Sequence, residues 1–94
     1  MTVQYSEEAR ETLFSISDFI DGLNTEGSGD RWVTRFHRWL SDYAKSNVAY
    51  ALCANETLAS LNLSCITYND WVIAFSIDST FFIVHKILRG SYLI

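Results

Sequence analysis

The chain has 94 residues and a net charge of −4, and 49% of its residues are hydrophobic. This length allows one hydrophobic core and excludes two, and the apolar content excludes the composition of a disordered chain. The acidic balance excludes nonspecific binding to nucleic acid, which needs an excess of positive charge. We therefore expect a single folded domain over residues 1–94.

The first residues show no basic segment followed by an apolar run, and no uninterrupted stretch of about 18 apolar residues occurs. We therefore predict a cytoplasmic protein without a membrane span. Cys53 and Cys65 have no Cys-x-x-Cys pair and no histidine near them, so no metal site is predicted. We interpret both as reduced core residues, with a disulfide between them as the alternative.

The first half of the chain predicts a short strand and two helices. Residues 2–5 alternate in polarity, and Ser6 is suited to cap a helix whose apolar stripe is Ala9, Leu13, Ile16, Ile20 and Leu23. A linker at residues 24–29 is short enough to return a second helix antiparallel to the first, with Asp30 as its cap. The core stripe predicted for this second helix is Val33, Phe36, Leu40 and Tyr43.

Three arginines share one face of the second helix. Arg31, Arg35 and Arg38 follow the spacing i, i+4 and i+7. Two interpretations stay open: a solvated face that pairs with the acidic residues of the first helix, or a contact surface for an acidic partner.

The second half predicts an antiparallel meander. Strands are expected at residues 61–68, 71–77 and 80–88, with turns at 69–70 and 78–79, whereas residues 49–57 predict no clear element. In the last strand, alternation places Phe81, Ile83 and Ile87 on one face and Phe82, Val84 and Leu88 on the other, and we expect Ile83 and Ile87 to face the helices. Since both faces are apolar, the face away from the helices needs a cover. The predicted fold class is α+β: a short N-terminal strand, an antiparallel two-helix hairpin, and an antiparallel meander packed on the helices.

The sequence predicts no self-contained active site and no cofactor. It has no phosphate-binding glycine loop, no nucleophile elbow and no metal-ligand spacing. His37 and His85 are distant in sequence, and we interpret each as a packed or exposed side chain. Cationic and phenolic groups are close in sequence only at Lys86, Arg89 and Tyr92. These residues are candidates for a contact or reaction surface, and the alternative is that they form the polar edge of a last strand.

Three segments share a pattern with a known family. Residues 5–9 read Tyr-Ser-Glu-Glu-Ala, residues 70–75 read Asp-Trp-Val-Ile-Ala-Phe, and residues 83–91 form an aliphatic run that ends in Arg-Gly-Ser. In this order, and over nearly the whole chain, they resemble the opening, the Asp-Tyr-Arg-Val-x-Tyr strand and the closing strand of the RelE/ParE superfamily. The members of this superfamily are toxins of type II toxin–antitoxin systems, which also stabilise plasmids.

The resemblance implies two mechanisms. RelE-like members cut messenger RNA on the ribosome, which here would assign catalysis to Lys86, Arg89 and Tyr92, with His85 as a weaker candidate. ParE-like members bind DNA gyrase. We favour the ParE-like mechanism, in which the chain is not an enzyme, because Val72 replaces the family's strand arginine and residues 46–85 contain no Lys or Arg. A third hypothesis is a diverged, non-toxic interaction module, since the chain is acidic where family toxins tend to be basic.

The resemblance also implies partners. They are a cognate antitoxin and DNA gyrase, or the ribosome and messenger RNA under the alternative, and we further expect a homodimer through the sheet. The residues that we expect to bind partners are Phe82, Val84, Lys86, Leu88, Arg89, Tyr92, Arg31, Arg35 and Arg38.

Overall fold

A computed structural model describes residues 1–46 and 51–90, which form an α+β fold. The helices and strands are, in chain order, β1 (Thr2–Tyr5), α1 (Glu7–Leu23), α2 (Ser28–Ala44), α3 (Glu56–Ser60), β2 (Ser64–Tyr68), β3 (Trp71–Asp78) and β4 (Phe81–Arg89). One sheet has the strand order β1-β4-β3-β2, in which β2, β3 and β4 form an antiparallel meander and β1 lies parallel to β4. The predicted fold class is therefore confirmed. Within the two described ranges, no helix has the length and apolarity that a bilayer crossing requires.

Ser6 begins α1 as predicted. Its Oγ accepts a hydrogen bond from the Ala9 N–H at 3.0 Å, and Glu7 and Glu8 follow in the first turn, where the helix dipole favours negative charge. The same hydroxyl donates to the His85 carbonyl oxygen at 2.8 Å. The cap therefore also joins the start of α1 to β4.

The helical hairpin closes earlier than predicted. α2 begins at Ser28, before the expected cap Asp30, and the Gly29 N–H donates to Asp21 Oδ1 at 2.7 Å. A Cβ on Gly29 would overlap the carbonyl oxygen of Ser17. The backbones of α1 and α2 are therefore in direct contact at this glycine.

This contact predicts opposite effects for one substitution at two glycines. Gly29→Ala should destabilise the protein by about 1–3 kcal/mol, because the overlapping atoms of Ser17 include backbone and cannot simply rotate away. Gly22→Ala should instead stabilise it by up to about 1 kcal/mol, since a Cβ there meets no atom within 4 Å and alanine favours the helix. Urea denaturation of the two variants measures both changes. Equal stability of the two would contradict the close approach of the helices.

The main core lies between the helical hairpin and the inner face of the sheet. Its buried members are Ala9, Leu13, Ile16, Phe36, Leu40, Ala44, Ile73, Phe75, Phe82, Val84 and Ile87. The predicted stripes are confirmed except at two positions. Leu23 at the end of α1 is 67% exposed, and Val33 of α2 is half-buried and lines a groove between the helices instead of this core. The core therefore uses the first three turns of α1 more than its last.

A β-bulge interrupts the pairing of β3 with β4. Ala74 lies opposite Lys86, but the next residue, Phe75, lies opposite Val84, so that His85 has no residue opposite it. An extra residue in one strand moves every side chain beyond it to the other face of the sheet. The alternation that the sequence predicts for β4 therefore breaks at this point.

The bulge overturns the faces that we predicted in β4. Phe82, Val84 and Ile87 all point into the main core. Ile83, between two inward residues, points to the outer face, and Leu88 packs against a second cluster there. The predictions that Phe82 and Val84 lie on the outer face, and that Ile83 faces the helices, are wrong.

Residues 52–63, which we call the strap, lie on the outer face of the sheet. A second buried cluster joins the strap to β3 through Cys53, Leu58, Leu63 and Ala74. A hydrogen bond joins the two ends of the strap, since the Cys53 N–H donates to the Leu63 carbonyl oxygen at 3.0 Å. The chain therefore supplies part of the cover that its apolar outer face needs.

Cys53 and Cys65 form a disulfide, so the prediction that both are reduced is wrong. The strap folds back along β2 and brings Cys53 beside Cys65, an approach that a spacing of twelve residues does not reveal. Disulfides persist in oxidising compartments and are rare in the reducing cytosol. The cytoplasmic location stays a prediction.

Candidate functional site

The end of β4 places Arg89 at an apolar groove between α1 and the sheet. Its guanidinium carbon lies 5.5 Å from the centroid of the Trp71 ring. We call this surface the Arg89 groove, and its lining residues are Thr12, Ser15, Ile16, Phe19, Ile20, Trp71 and Arg89. Phe19 is 62% exposed. A cation stacked on an indole beside exposed apolar side chains is suited to binding, because Trp and Arg contribute most to contact energies.

Lys86 does not join the Arg89 groove. Its Nζ lies 3.2 Å from Glu8 Oε2, in the first turn of α1. Arg89 lies instead beside Ser15 and Phe19, about two to three turns further along the helix. The two charged groups are therefore directed to different parts of the molecule. Tyr92, the third member of the predicted cluster, lies outside the described residues.

Three other predicted partner-binding residues are buried or half-buried. Phe82 and Val84 are both 0% exposed, so a partner of the folded chain does not reach them. Leu88 is half-buried and packs against the strap cluster. The outer sheet face therefore offers less apolar surface than the sequence predicts.

Arg31, Arg35 and Arg38 are all exposed on α2 and line one shallow hollow with Asp30 and Thr34. Arg31 Nη2 donates to Ser28 Oγ at 2.9 Å. In residues 1–46 and 51–90, no carboxylate of α1 lies within 4.0 Å of the three guanidinium groups. The predicted pairing with the first helix of the same chain is thus not found in this part of the protein.

The two histidines lie in separate places, as their sequence positions suggest. His85 Nε2 lies 2.7 Å from Ser76 Oγ, a hydroxyl–imidazole pair on neighbouring strands. Nucleophilic catalysis also needs a third group that orients the imidazole and donors for the oxyanion. Among the described residues, no group of three His, Cys, Asp or Glu could hold a metal ion.

His37 belongs to a contact that joins β1 to α2. Tyr5 Oη lies 2.8 Å from His37 Nδ1, and Ser41 Oγ lies 3.4 Å from His37 Nε2. Burial raises the pKa of Tyr5 to about 12. Because both ring nitrogens of His37 lie close to hydroxyl groups of the same chain, we assign His37 a structural role.

Sequence reasoning missed Trp71 and Phe19 as parts of the site. Phe19 lies off the apolar stripe of α1, as does Phe14, which is 73% exposed. An aromatic residue outside the core stripe of an amphipathic helix is the signal that marks both positions. Trp71 carries no such signal, because it opens a strand that is apolar on both faces.

No protein-family model and no curated protein matches this chain. The likeness to the RelE/ParE superfamily therefore rests on the three segments quoted above and on the order of the helices and strands.

Proposed function

We propose that the chain is a ParE-like toxin of a type II toxin–antitoxin pair, which acts by binding DNA gyrase and is neutralised by a cognate antitoxin. The observation that carries the proposal is the fold. The chain has the strand, helical hairpin and meander that the resemblance implies, in the implied order. Because one fold serves many functions, the site has to supply the rest of the support.

The Arg89 groove supports a function by binding. It combines an exposed cation with the rings of Trp71 and Phe19, and these residue types dominate the energy of protein contacts. The groove lies at the end of β4, in the segment that resembles the closing strand of the family. A partner with an apolar side chain next to a carboxylate would satisfy both the wall of the groove and the guanidinium.

The ribonuclease alternative has less support. Attack by a 2′-hydroxyl needs a base, an acid and cations around one phosphate. Lys86 is paired with Glu8 and points away from Arg89, so these two cations do not converge on one point. The non-toxic module stays the third hypothesis, and a growth assay separates it from both toxins.

Expression of the chain without its antitoxin should arrest growth with DNA damage, and Arg89→Ala should relieve the arrest. Loss of this exposed guanidinium should lower target affinity by about tenfold or more, while a surface change costs no more than about 0.5 kcal/mol of stability. Colony counts, a DNA-damage reporter and the supercoiling activity of purified gyrase measure the effect. Arg10→Ala is the matched control, because Arg10 is exposed on α1 outside the Arg89 groove and its loss should leave the chain toxic.

Healthy, undamaged cells at high expression of the unaltered chain would overturn the proposal in favour of the non-toxic module. Codon-spaced cuts in messenger RNA during translation in extract, lost in Lys86→Ala and Tyr92→Phe, would overturn it in favour of the ribonuclease. If Arg89→Ala and Arg10→Ala are equally toxic, the effector surface lies outside the Arg89 groove.

A further inference from the structure

The face of the helical hairpin that is turned away from the sheet carries two rows of opposite charge. The row on α1 is spaced i, i+4, i+7 and i+11 and consists of Glu7, Glu11, Phe14 and Asp18. The row on α2 consists of Arg31, Arg35 and Arg38, and the exposed carboxylate Asp42 follows it at i+11, in the last turn of the helix. Residues at these spacings lie on one side of a helix, and all seven are exposed. We call them the acidic row and the arginine row.

A groove with apolar and charged walls separates the two rows. Leu13 and Val33 line it from the two helices, and Phe14 of the acidic row lines it while remaining 73% exposed. Arg10 of α1 and Asp30 of α2 also line it, each with the charge opposite to that of the row on its own helix. An exposed phenylalanine in a groove between charged rows is typical of a surface that another protein covers.

The two rows are matched along the hairpin. α1 and α2 are antiparallel and Gly29 meets Ser17, so each step forward on α2 corresponds to one step back on α1. Arg35 therefore lies level with Glu11. By the same count, Arg38 is level with the first turn of α1, and Arg31 is within one turn of Asp18.

We propose that a second copy of this chain binds this face, related to the first by a two-fold axis parallel to the helices. Such an axis lays α1 of each copy over α2 of the other. Each acidic row then meets an arginine row at matching levels, and Phe14 of each copy comes over the partner's Val33. The two rows are thus self-complementary in charge and in apolar surface. Two other exposed charges oppose the contact, because by the same count Arg10 lies level with the partner's Arg35 and Asp42 lies within one turn of the partner's Glu7.

Charge selects a second copy over other occupants. A polyanion or an acidic helix would be attracted by Arg31 and Arg35 but repelled by Glu11 and Asp18 on the neighbouring helix. A basic partner would be attracted by these carboxylates but repelled by the arginines. The hairpin of a second copy presents both signs at the required levels. These arginines also lack a carboxylate of α1 within 4.0 Å inside one chain, as described above for residues 1–46 and 51–90.

The size of the face sets the expected strength. Each helix has 17 residues and is roughly 25 Å long, and two helices side by side are roughly 20 Å wide. The dimer would thus bury roughly 1,000 Å² in total, at the lower end of specific interfaces. We expect a reversible, salt-sensitive dimer. It uses the hairpin and not the sheet, where we predicted the homodimer from the sequence and where the strap covers part of the outer face.

Two charge-reversed variants test this contact. The first carries Arg31→Glu and Arg35→Glu, and the second carries Glu11→Arg and Asp18→Arg. Each variant alone should dimerise at least about tenfold more weakly than the unaltered chain, because like charges face each other across the two-fold axis. An equimolar mixture should form a heterodimer, since every reversed row then meets its complement. Sedimentation velocity and native mass spectrometry measure the species, and thermal melts check that each variant is folded.

Salt and one single substitution provide independent readouts. Dimerisation of the unaltered chain should weaken by about tenfold between low and high ionic strength, because exposed charge pairs are screened. Phe14→Ser should weaken the dimer with little change in melting temperature. The proposal is overturned if the unaltered chain stays monomeric at about 1 mM in low salt, if both reversed variants dimerise as strongly as it does, or if the folded variants fail to pair when mixed.

Discussion

Replacement of Phe36 by aspartate is expected to abolish cooperative folding. Phe36 is 0% exposed in the main core, and its ring centroid lies 5.5 Å from that of Trp32 and 5.2 Å from that of Tyr68. A carboxylate buried there without a partner costs several kcal/mol, which approaches the whole stability of a domain of this size. Leu13→Asp should act in the same way from α1. Near-UV circular dichroism and differential scanning calorimetry measure the loss.

Phe19→Asp is the matched control for this experiment. Phe19 is 62% exposed, so the same substitution should leave a cooperative transition within a few degrees of the unaltered chain. If Phe36→Asp melts cooperatively near the temperature of this control, the assignment of Phe36 to the core is wrong.

Reduction of the Cys53–Cys65 disulfide is expected to lower the melting temperature by about 12–24 °C. The bond closes a loop between cysteines twelve residues apart. A loop of this size stabilises the folded state by about 3 kcal/mol, and each kcal/mol shifts the melting temperature of so small a domain by about 4–8 °C. Reduction should also loosen the strap, whose α3 has only five residues and cannot hold itself in place.

Calorimetry with and without reductant measures the shift. The double variant Cys53→Ser, Cys65→Ser should melt near the reduced protein and should not respond to reductant. Hydrogen exchange should show that the Cys53 amide, which donates to the Leu63 carbonyl oxygen, loses protection on reduction. Two free thiols in the purified, unreduced protein would show that the bond is absent.

Local signals predicted most of the helices and strands. Ser6 carries the capping hydroxyl and is followed by two glutamates. The apolar stripes that include Leu13 in α1 and Phe36 in α2 both have the helical period. Asn69 predicted the turn between β2 and β3, and it adopts a φ of 53°, which asparagine tolerates. Each of these features depends on residues that are only a few positions apart, so it can be predicted from the local sequence.

Features that depend on distant contacts escaped prediction. Residues 61–63 alternate like a strand, yet Asn62 has a φ of 62° and the Leu63 N–H donates to the Leu58 carbonyl oxygen, so they close α3 instead. The bulge in β4 and the disulfide are likewise settled by packing between segments. The bulge also changed the predicted binding surface, because it buries Val84, which we had placed on that surface.

The exposed surfaces were predicted in part. The spacing of Arg31, Arg35 and Arg38 predicted one exposed face, which the structure has. Pairing of that face with α1 of the same chain depends on the directions of Glu11 and Asp18. These directions cannot be predicted from the sequence. Arg89 was predicted as a site residue, but its neighbours Trp71 and Phe19 came together only through the packing of α1 on the end of the sheet.

The parallel pairing of β1 with β4 affects how the chain folds during synthesis. Thr2 pairs with Phe81 and Tyr5 with Val84, so β1 leaves the ribosome about 4–16 s before β4, its neighbour in the sheet, at a synthesis rate of about 5–20 residues per second. In that interval α1 and α2 have emerged, while the strand that carries Phe82 and Val84 to their apolar stripes has not. A nascent chain that stops before Phe81 therefore exposes two amphipathic helices and an unpaired first strand, which is the kind of surface that chaperones hold.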